Sequence, residues 1–258
     1  MQKLALHLLI ALPLLLAACG ARHPSGATNY RVVRTLPHDP DAFTQGLLFH
    51  DGKLYESTGL YGQSTLREVN LETGEILRQH KLPRDLFGEG LAIYSNRLYQ
   101  LTWREEIVMV YDLETFRPLD NFPIEGEGWG LAIWSNQFVA SDGTATLRFY
   151  DPATKQSVRS ITVRDGDKPI VELNELEVIE GELWANVWHD DRVVRIDPLT
   201  GKALGWLDFS DLVPDGLRDS TEAVLNGIAY NPETRRIYIT GKNWPVLYEI
   251  EMTTPPAP

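Results

Sequence analysis

The stretch GLLFHDGKLYEST (46–58) decides the fold, because its pattern returns as GLAIYSNRLYQLTW (90–103), GLAIWSNQFVASDG (130–143), ELEVIEGELWANVW (175–188) and GIAYNPETRRIYITGK (227–242). Each copy is a short apolar run, a polar turn and a second apolar run, the layout of a β-hairpin. A third run follows each copy: Thr65–Val69, Ile107–Tyr111, Thr146–Tyr150, Val193–Ile196 and Val246–Ile250. The first four copies then carry a turn of the form Asn/Asp-x-x-Thr, at Asn70–Thr73, Asp112–Thr115, Asp151–Thr154 and Asp197–Thr200. Asn or Asp opens such a turn because its side chain bonds nearby backbone N–H groups. A fourth strand comes next. Four strands repeating at a period of about 40–50 residues predict an all-β fold, a five-bladed β-propeller with four antiparallel strands per blade.

The fifth copy stops after its third strand, near Met252, and its missing strand stands at the other end of the chain. Residues 29–37, NYRVVRTLP, resemble the fourth strand ILRQHKLP (76–83). They are expected to complete blade five and close the ring, which locks the chain ends together and removes exposed edges. A six-stranded or two-sheet sandwich would explain neither the repeat phase nor the displaced strand.

The repeat register yields geometry. The first two strands of a blade are antiparallel, so the start of strand one lies beside the end of strand two, on one rim. The opposite rim carries plain turns: His50–Lys53, Tyr94–Arg97 and Trp134–Gln137. On the first rim the residues opening strand one are Gln45, Glu89, Trp129, Asn174 and Asn226. Those just past strand two are Gly59, Trp103, Gly143, Trp188 and Lys242. Innermost strands surround the channel of a propeller, so these residues converge near the axis. Polar groups in an aromatic-walled hollow have the form of a small-molecule site. Each also has a plainer reading. Gln45, Asn174 and Asn226 serve equally as turn residues, with that reading favoured for Asn226. The tryptophans serve as packing between blades, and Lys242 as a solvated charge. Glu89, in Phe87-Gly-Glu-Gly90, is hardest to dismiss, since flanking glycines let a backbone approach closely. Glu127, in Gly126-Glu-Gly128, shares the flanking glycines but sits two residues out of register. Glu125, Glu175 and Glu177 are further carboxylates nearby, expected to pair with Lys242 or to lie on a solvated face.

Composition narrows the function. The 258 residues are 43% hydrophobic, enough for a sizeable core. With 24 Lys plus Arg against 36 Asp plus Glu the formal charge is −12, which argues against nucleic acid or an anionic membrane surface as partner. The single Cys excludes an intrachain disulfide and a Cys-rich zinc site. The six His are scattered without a two-His zinc spacing. There is no G-x-S-x-G elbow, Walker loop or dinucleotide fingerprint. No metal or cofactor is expected, apart from weak support for a calcium held by carboxylates in the channel.

The chain opens MQKLALHLLIALPLLLAAC, a basic Lys3 followed by an apolar run too short to span a bilayer. Residues 1–18 read as a signal peptide with a lipobox, because the only Cys falls at position 19, behind Leu16-Ala17-Ala18. The plainer alternative is an ordinary signal peptide with a chance Cys. Cys19 is expected to be lipidated; several acyl chains together give stable anchoring. Gly20 rather than Asp follows, which points to the outer membrane of a bacterial envelope, facing the periplasm. Residues 19–28 form the lipidated Cys and a flexible tether, residues 29–252 one propeller domain, and residues 253–258 a disordered tail. A closed ring on a tether is expected to be a monomer.

Seven short motifs then occur in order and in register. They are Ala42-Phe-Thr-Gln-Gly46, Phe87-Gly-Glu-Gly90, Gly128-Trp-Gly130, Leu173-Asn-Glu-Leu-Glu177, Asn186-Val-Trp188, Leu225-Asn-Gly-Ile228 and Gly241-Lys-Asn-Trp244. Over residues 29–252 the chain resembles the glutaminyl-peptide cyclotransferases of the plant and bacterial type. The resemblance implies a five-bladed propeller that converts N-terminal Gln of peptides or proteins into pyroglutamate with release of ammonia, without zinc. It implies that Glu89 is the central catalytic group, with Lys242 and Asn174. It implies a substrate pocket of Phe43, Gln45, Phe87, Trp103, Trp129 and Trp188. The mature chain departs from plant members in having no cysteine pair for a disulfide. The segments Arg164–Leu173 and Ser210–Glu222 are expected on the active rim. Two other classes fit a propeller: a calcium-dependent lactonase or similar hydrolase, and a non-enzymatic envelope scaffold.

Overall fold

The computed structural model describes residues 30–253. The expected signal peptide, Cys19, the tether and the tail beyond residue 253 lie outside them. Strand β1 (Tyr30–Pro37) opens the described chain. Blade one is β2 (Thr44–His50), β3 (Lys53–Thr58), β4 (Thr65–Val69) and β5 (Ile76–Lys81). Blade two is β6 (Gly88–Tyr94), β7 (Arg97–Thr102), β8 (Ile107–Asp112) and β9 (Pro118–Pro123). Blade three is β10 (Leu131–Trp134), β11 (Gln137–Ala140), β12 (Thr146–Tyr150) and β13 (Ser157–Thr162). A ribbon of β14 (Arg164–Asp165) and β15 (Lys168–Pro169) precedes blade four: β16 (Leu173–Ile179), β17 (Glu182–Val187), β18 (Arg192–Ile196) and β19 (Ala203–Asp208). Blade five is β20 (Leu225–Asn231), β21 (Arg236–Gly241) and β22 (Val246–Met252), completed by β1 in the order β1-β22-β21-β20. The pairing runs from Tyr30 opposite Met252 to Pro37 opposite Val246, so the displaced strand closes the ring as its sequence predicts. The five-bladed, four-strand architecture is the one the repeats describe.

The core is split five ways, one apolar cluster in each seam between blades. Leu47, Leu54 and Val69 meet Ala229, Tyr238 and Leu247 across the seam of blades one and five. Tyr55 and Leu66 meet Leu91, Leu98 and Tyr111 in the next. Tyr99 and Val110 meet Phe138 and Tyr150, Phe149 meets Leu176 and Val194, and Trp184 and Phe209 meet Ile239 and Trp244. Both faces of every blade are therefore buried, which is why the inner strands read as near-continuous apolar runs rather than alternating ones. The turns behave as predicted: the side-chain oxygens of Asn70, Asp112, Asp151 and Asp197 each accept an N–H two or three residues on.

One irregularity recurs and positions the site. The pairing of strands one and two slips between Thr44 and Gly46, Gly88 and Leu91, Leu173 and Leu176, and Leu225 and Ile228. Such bulges re-aim side chains, and they are common beside active sites. Here the displaced residues are Gln45, Glu89, Asn174 and Asn226. Behind them sits a glycine in every blade but the fourth, because neighbouring inner strands nearly touch. A Cβ on Gly130 would lie 2.1 Å from the carbonyl oxygen of Asn174. In blade four the glycine position is Glu175. Its side chain crosses the axis, with Oε2 accepting from Ile228 N (2.9 Å) and Oε1 from Leu47 N (3.3 Å). One carboxylate thus ties blades four, five and one together.

Candidate active site

The rim argument turns on which backbones pair past the bulges. Gly59 N donates to Phe43 O (2.8 Å), Trp103 N to Phe87 O (3.0 Å), Trp188 N to Glu172 O (2.8 Å) and Lys242 N to Val224 O (2.9 Å). In blades one, two, four and five the residue just past strand two is thus locked beside the approach to strand one, while in blade three Gly143 N donates to Leu173 O of the next blade (3.2 Å). Phe43, Gln45, Phe87, Glu89, Trp103, Trp129, Asn174, Trp188 and Lys242 all line one cavity of about 300 Å³. That size suits a small ligand. A larger groove of about 680 Å³ lies on the opposite rim, but its charges answer one another: Arg195 holds Glu182 at 2.7 Å, and Arg236 pairs with Glu251. It is a solvated trough, whereas the aromatic cavity holds buried charges.

The aromatic wall is a chain of edge contacts. Phe43 meets Phe87 at 6.2 Å between centroids, Phe87 meets Trp103 at 5.4 Å, and Trp129 meets Trp188 at 5.7 Å. Edge-to-face contact at these separations is favourable. The two glycines that break the register of bulky residues make room for rings. A Cβ on Gly59 would lie 2.3 Å from Phe87, and one on Gly143, at φ +75°, would lie 2.7 Å from Trp129.

Glu89 is 4% exposed and Lys242 5%. Burial raises the Glu89 carboxyl well above the ordinary carboxylate range; Lys242 opposes the rise, while Glu127 and Glu105 add to it. Burial lowers the Lys242 ammonium, against the pull of Glu89 and Glu222. The two are drawn toward each other in proton affinity, as general acid–base groups need to be. Lys242 Nζ sits 4.8 Å from the centre of the Phe43 ring. Glu89 is oriented through carboxamides: Asn226 Nδ2 donates to Gln45 Oε1 (3.2 Å), and Gln45 Nε2 donates to Glu89 Oε1 (2.9 Å). Asn226 also donates to Thr44 O (2.9 Å). It has the backbone role expected of it and an orienting role besides. Asn174 Oδ1 is buried without a hydrogen-bond partner.

A profile of the glutamine cyclotransferase family matches residues 6–252. The chain belongs to the glutamine cyclotransferase family. It is 43% identical over 225 residues to a glutaminyl-peptide cyclotransferase of Arabidopsis thaliana, an alignment covering 86% of this chain and 70% of that one. The crystal structure of Myxococcus xanthus glutaminyl cyclase superposes with a TM-score of 0.81 at 39% identity, covering 87% of this chain and 96% of that one.

In this member of the glutamine cyclotransferase family, several features escape the sequence. Leu60 and Glu222 also line the cavity. Glu222 belongs to the segment expected on the active rim, but nothing in its spacing singles it out. Glu175 corrects the expectation of a Lys242 partner or a solvated carboxylate: it is 2% exposed and bonded to backbone across the axis. Glu177, two residues on, is half-buried, and burial pushes its carboxyl up to about 8. Both Glu175 oxygens meet N–H donors, an arrangement that suits an anion's acceptors and not a cation's ligands. Glu125, by contrast, lies on a solvated face near Arg148 (3.7 Å).

Proposed function

We propose that this protein cyclises the N-terminal Gln of peptides and proteins to pyroglutamate and releases ammonia, with Glu89 as the proton carrier. The α-nitrogen attacks the γ-carboxamide carbon, forming the ring C–N bond, and the bond to the amide nitrogen breaks. Proximity is largely intrinsic to a five-membered ring, so the protein has to fold the side chain back and manage protons. The amine must be neutral to attack, yet α-amino groups have a pKa near ~8. Glu89 takes the proton as the ring closes and gives it to the departing nitrogen, leaving as NH3. Lys242, Asn174 and Gln45 hold the amide and the negative charge that develops on its oxygen; one such donor is typically worth about 2.7–4 kcal/mol. Phe43, Phe87, Trp103, Trp129 and Trp188 wall the side chain and exclude water, which would otherwise hydrolyse it to Glu.

The observation carrying this reading is the burial of Glu89 and Lys242 in one aromatic cavity, with Gln45 and Asn226 fixing the carboxylate. Ammonia release from Gln-Ala and from Ala-Gln tests it, with wild type and Glu89→Gln, with and without a chelator. Release from Gln-Ala alone, lost in Glu89→Gln without any fall in melting temperature and indifferent to chelator, is the expected result. Retained turnover in Glu89→Gln refutes the assignment. Chelator sensitivity would favour a calcium-dependent hydrolase, and no release from either peptide an envelope scaffold.

We further infer that the protein is a lipoprotein of the bacterial envelope, anchored through Cys19 and directed to the outer membrane with its domain in the periplasm. The lipobox layout supports this. Tyr30, where the described chain begins, pairs with Met252 on the rim opposite the cavity, which supports a reading in which the active rim looks away from the anchor. Metabolic labelling with a fatty acid, lost in Cys19→Ala, tests the anchor. A monomer is the reading for the oligomeric state, supported by the closure of the ring within one chain, where Tyr30–Pro37 pairs with Val246–Met252.

A further inference from the structure

Glu127 stands where blades one and two have Phe43 and Phe87, two residues before the residue that faces the cavity. The substitution of a carboxylate for an aromatic ring has a visible use. Glu127 Oε2 accepts from the indole N–H of Trp103 (2.7 Å) and from that of Trp129 (3.0 Å). These two rings come from different blades, and Glu127 joins the two halves of the aromatic wall: Phe43, Phe87 and Trp103 on one side, Trp129 and Trp188 on the other. Its other oxygen lies 3.6 Å from Arg104, whose guanidinium covers the Trp103 ring at 3.9 Å.

We propose that Glu127 is a positioning residue for the cyclisation, pinning the indoles of Trp103 and Trp129 around the substrate and setting its own negative charge against that of Glu89. This rests on the cyclotransferase reading. Tryptophan rings have a broad second torsion, so a ring at a cavity wall is held only by what it touches. A doubly accepting carboxylate fixes both at once, and charge-assisted bonds of this kind are about twice as strong as neutral ones. The electrostatic part acts through the cavity. Glu89 faces Lys242 from the end of β21, Gln45 from β2, Glu105 from the connection after β7 and Glu127 from the connection before β10. Glu105 is itself held by Tyr61 (2.8 Å), and Glu127 is faced by Arg104. A like charge disfavours ionised Glu89. Neutralising Glu127 therefore lets Glu89 ionise at lower pH, and the acid limb of kcat/KM moves down.

The test compares wild type, Glu127→Gln and Glu127→Ala on Gln-Ala across pH, together with the indole N–H resonances in ¹⁵N NMR. Glu127 is 39% exposed at its side chain, so neither variant threatens the fold. Glu127→Gln keeps an acceptor for the indoles and loses the charge; its acid limb is expected to fall by about half a pH unit. Glu127→Ala loses both, and is expected to show the same fall plus a KM at least about ten-fold higher, as misplaced contacts produce. In Glu127→Ala both the Trp103 and the Trp129 indole signals are expected to move upfield. An unmoved acid limb in Glu127→Gln, or wild-type KM in Glu127→Ala, overturns the inference. If wild type releases no ammonia, the cyclotransferase reading fails instead, and the indole signals decide the positioning role: no movement overturns it.

Discussion

Replacing Glu177 by Gln isolates one buried carboxylate from the chemistry. Glu177 lies on β16 opposite Trp184, and its Oε1 accepts from its own neighbour Val178 N (2.9 Å). Burial raises its carboxyl from 4.5 to about 8, the single N–H opposing only weakly. A carboxyl whose folded pKa is raised binds its proton more tightly in the native state. Its contribution to stability is whole below about pH 4.5 and is lost as pH rises through about 8. At about 1.4 kcal/mol per pH unit, full ionisation costs the fold roughly 4–5 kcal/mol; its residual exposure reduces this to about 2–4 kcal/mol. Glu177→Gln has no charge to bury, so at pH 8 it should be more stable than wild type by that amount, and near pH 4.5 nearly equal to it. In a chain of this size 1 kcal/mol moves the melting temperature by about 2–4 °C, so the pH 8 gain is roughly 4–16 °C. Thermal unfolding of both proteins between pH 4.5 and 8.5 measures it. A difference independent of pH, or a variant less stable at pH 8, would refute the reasoning.

Three further outcomes are expected. Gly143→Ala puts a Cβ 2.7 Å from the Trp129 ring at φ +75°, so it should raise KM for Gln-Ala about ten-fold and lower stability by about 1 kcal/mol or more, read by steady-state kinetics and thermal melts. Lys242→Met should lower kcat/KM about 10²-fold and move its acid limb to higher pH, since Lys242 is the group that favours ionised Glu89; an unchanged value removes Lys242 from the scheme. Glu56→Gln breaks a buried pair at the ring closure, where His38 reaches Glu56 (3.0 Å) and Trp244 O (2.7 Å), and should cost about 3–5 kcal/mol in chemical unfolding. Burial opposes both charges, but Glu56 lifts His38 above its usual 6.5 and His38 and Arg67 hold Glu56 below 4.5. The stabilisation of the pair is therefore lost as pH rises through the raised His38 value or falls through the depressed Glu56 value.

The amino-acid sequence by itself determined the blade count, the strand order and the closing strand. A propeller blade is a local unit: its hairpins and Asx turns are written in consecutive residues, and its period repeats them. The same period placed Gln45, Glu89, Trp129, Asn174, Trp103, Trp188 and Lys242 on one rim, because antiparallel pairing within a blade fixes which ends meet. Only the tertiary structure decided what happens between blades. Glu175 occupies a glycine's place and bonds backbone one and two blades away, Asn226 turns Gln45 toward Glu89, and Glu127 spans two tryptophans. No spacing encodes these contacts, since they depend on how closely the inner strands approach around the axis. The proton affinities of Glu89 and Lys242 belong there too. A carboxylate and an amine far apart in the chain acquire them only when ring closure buries both in one cavity.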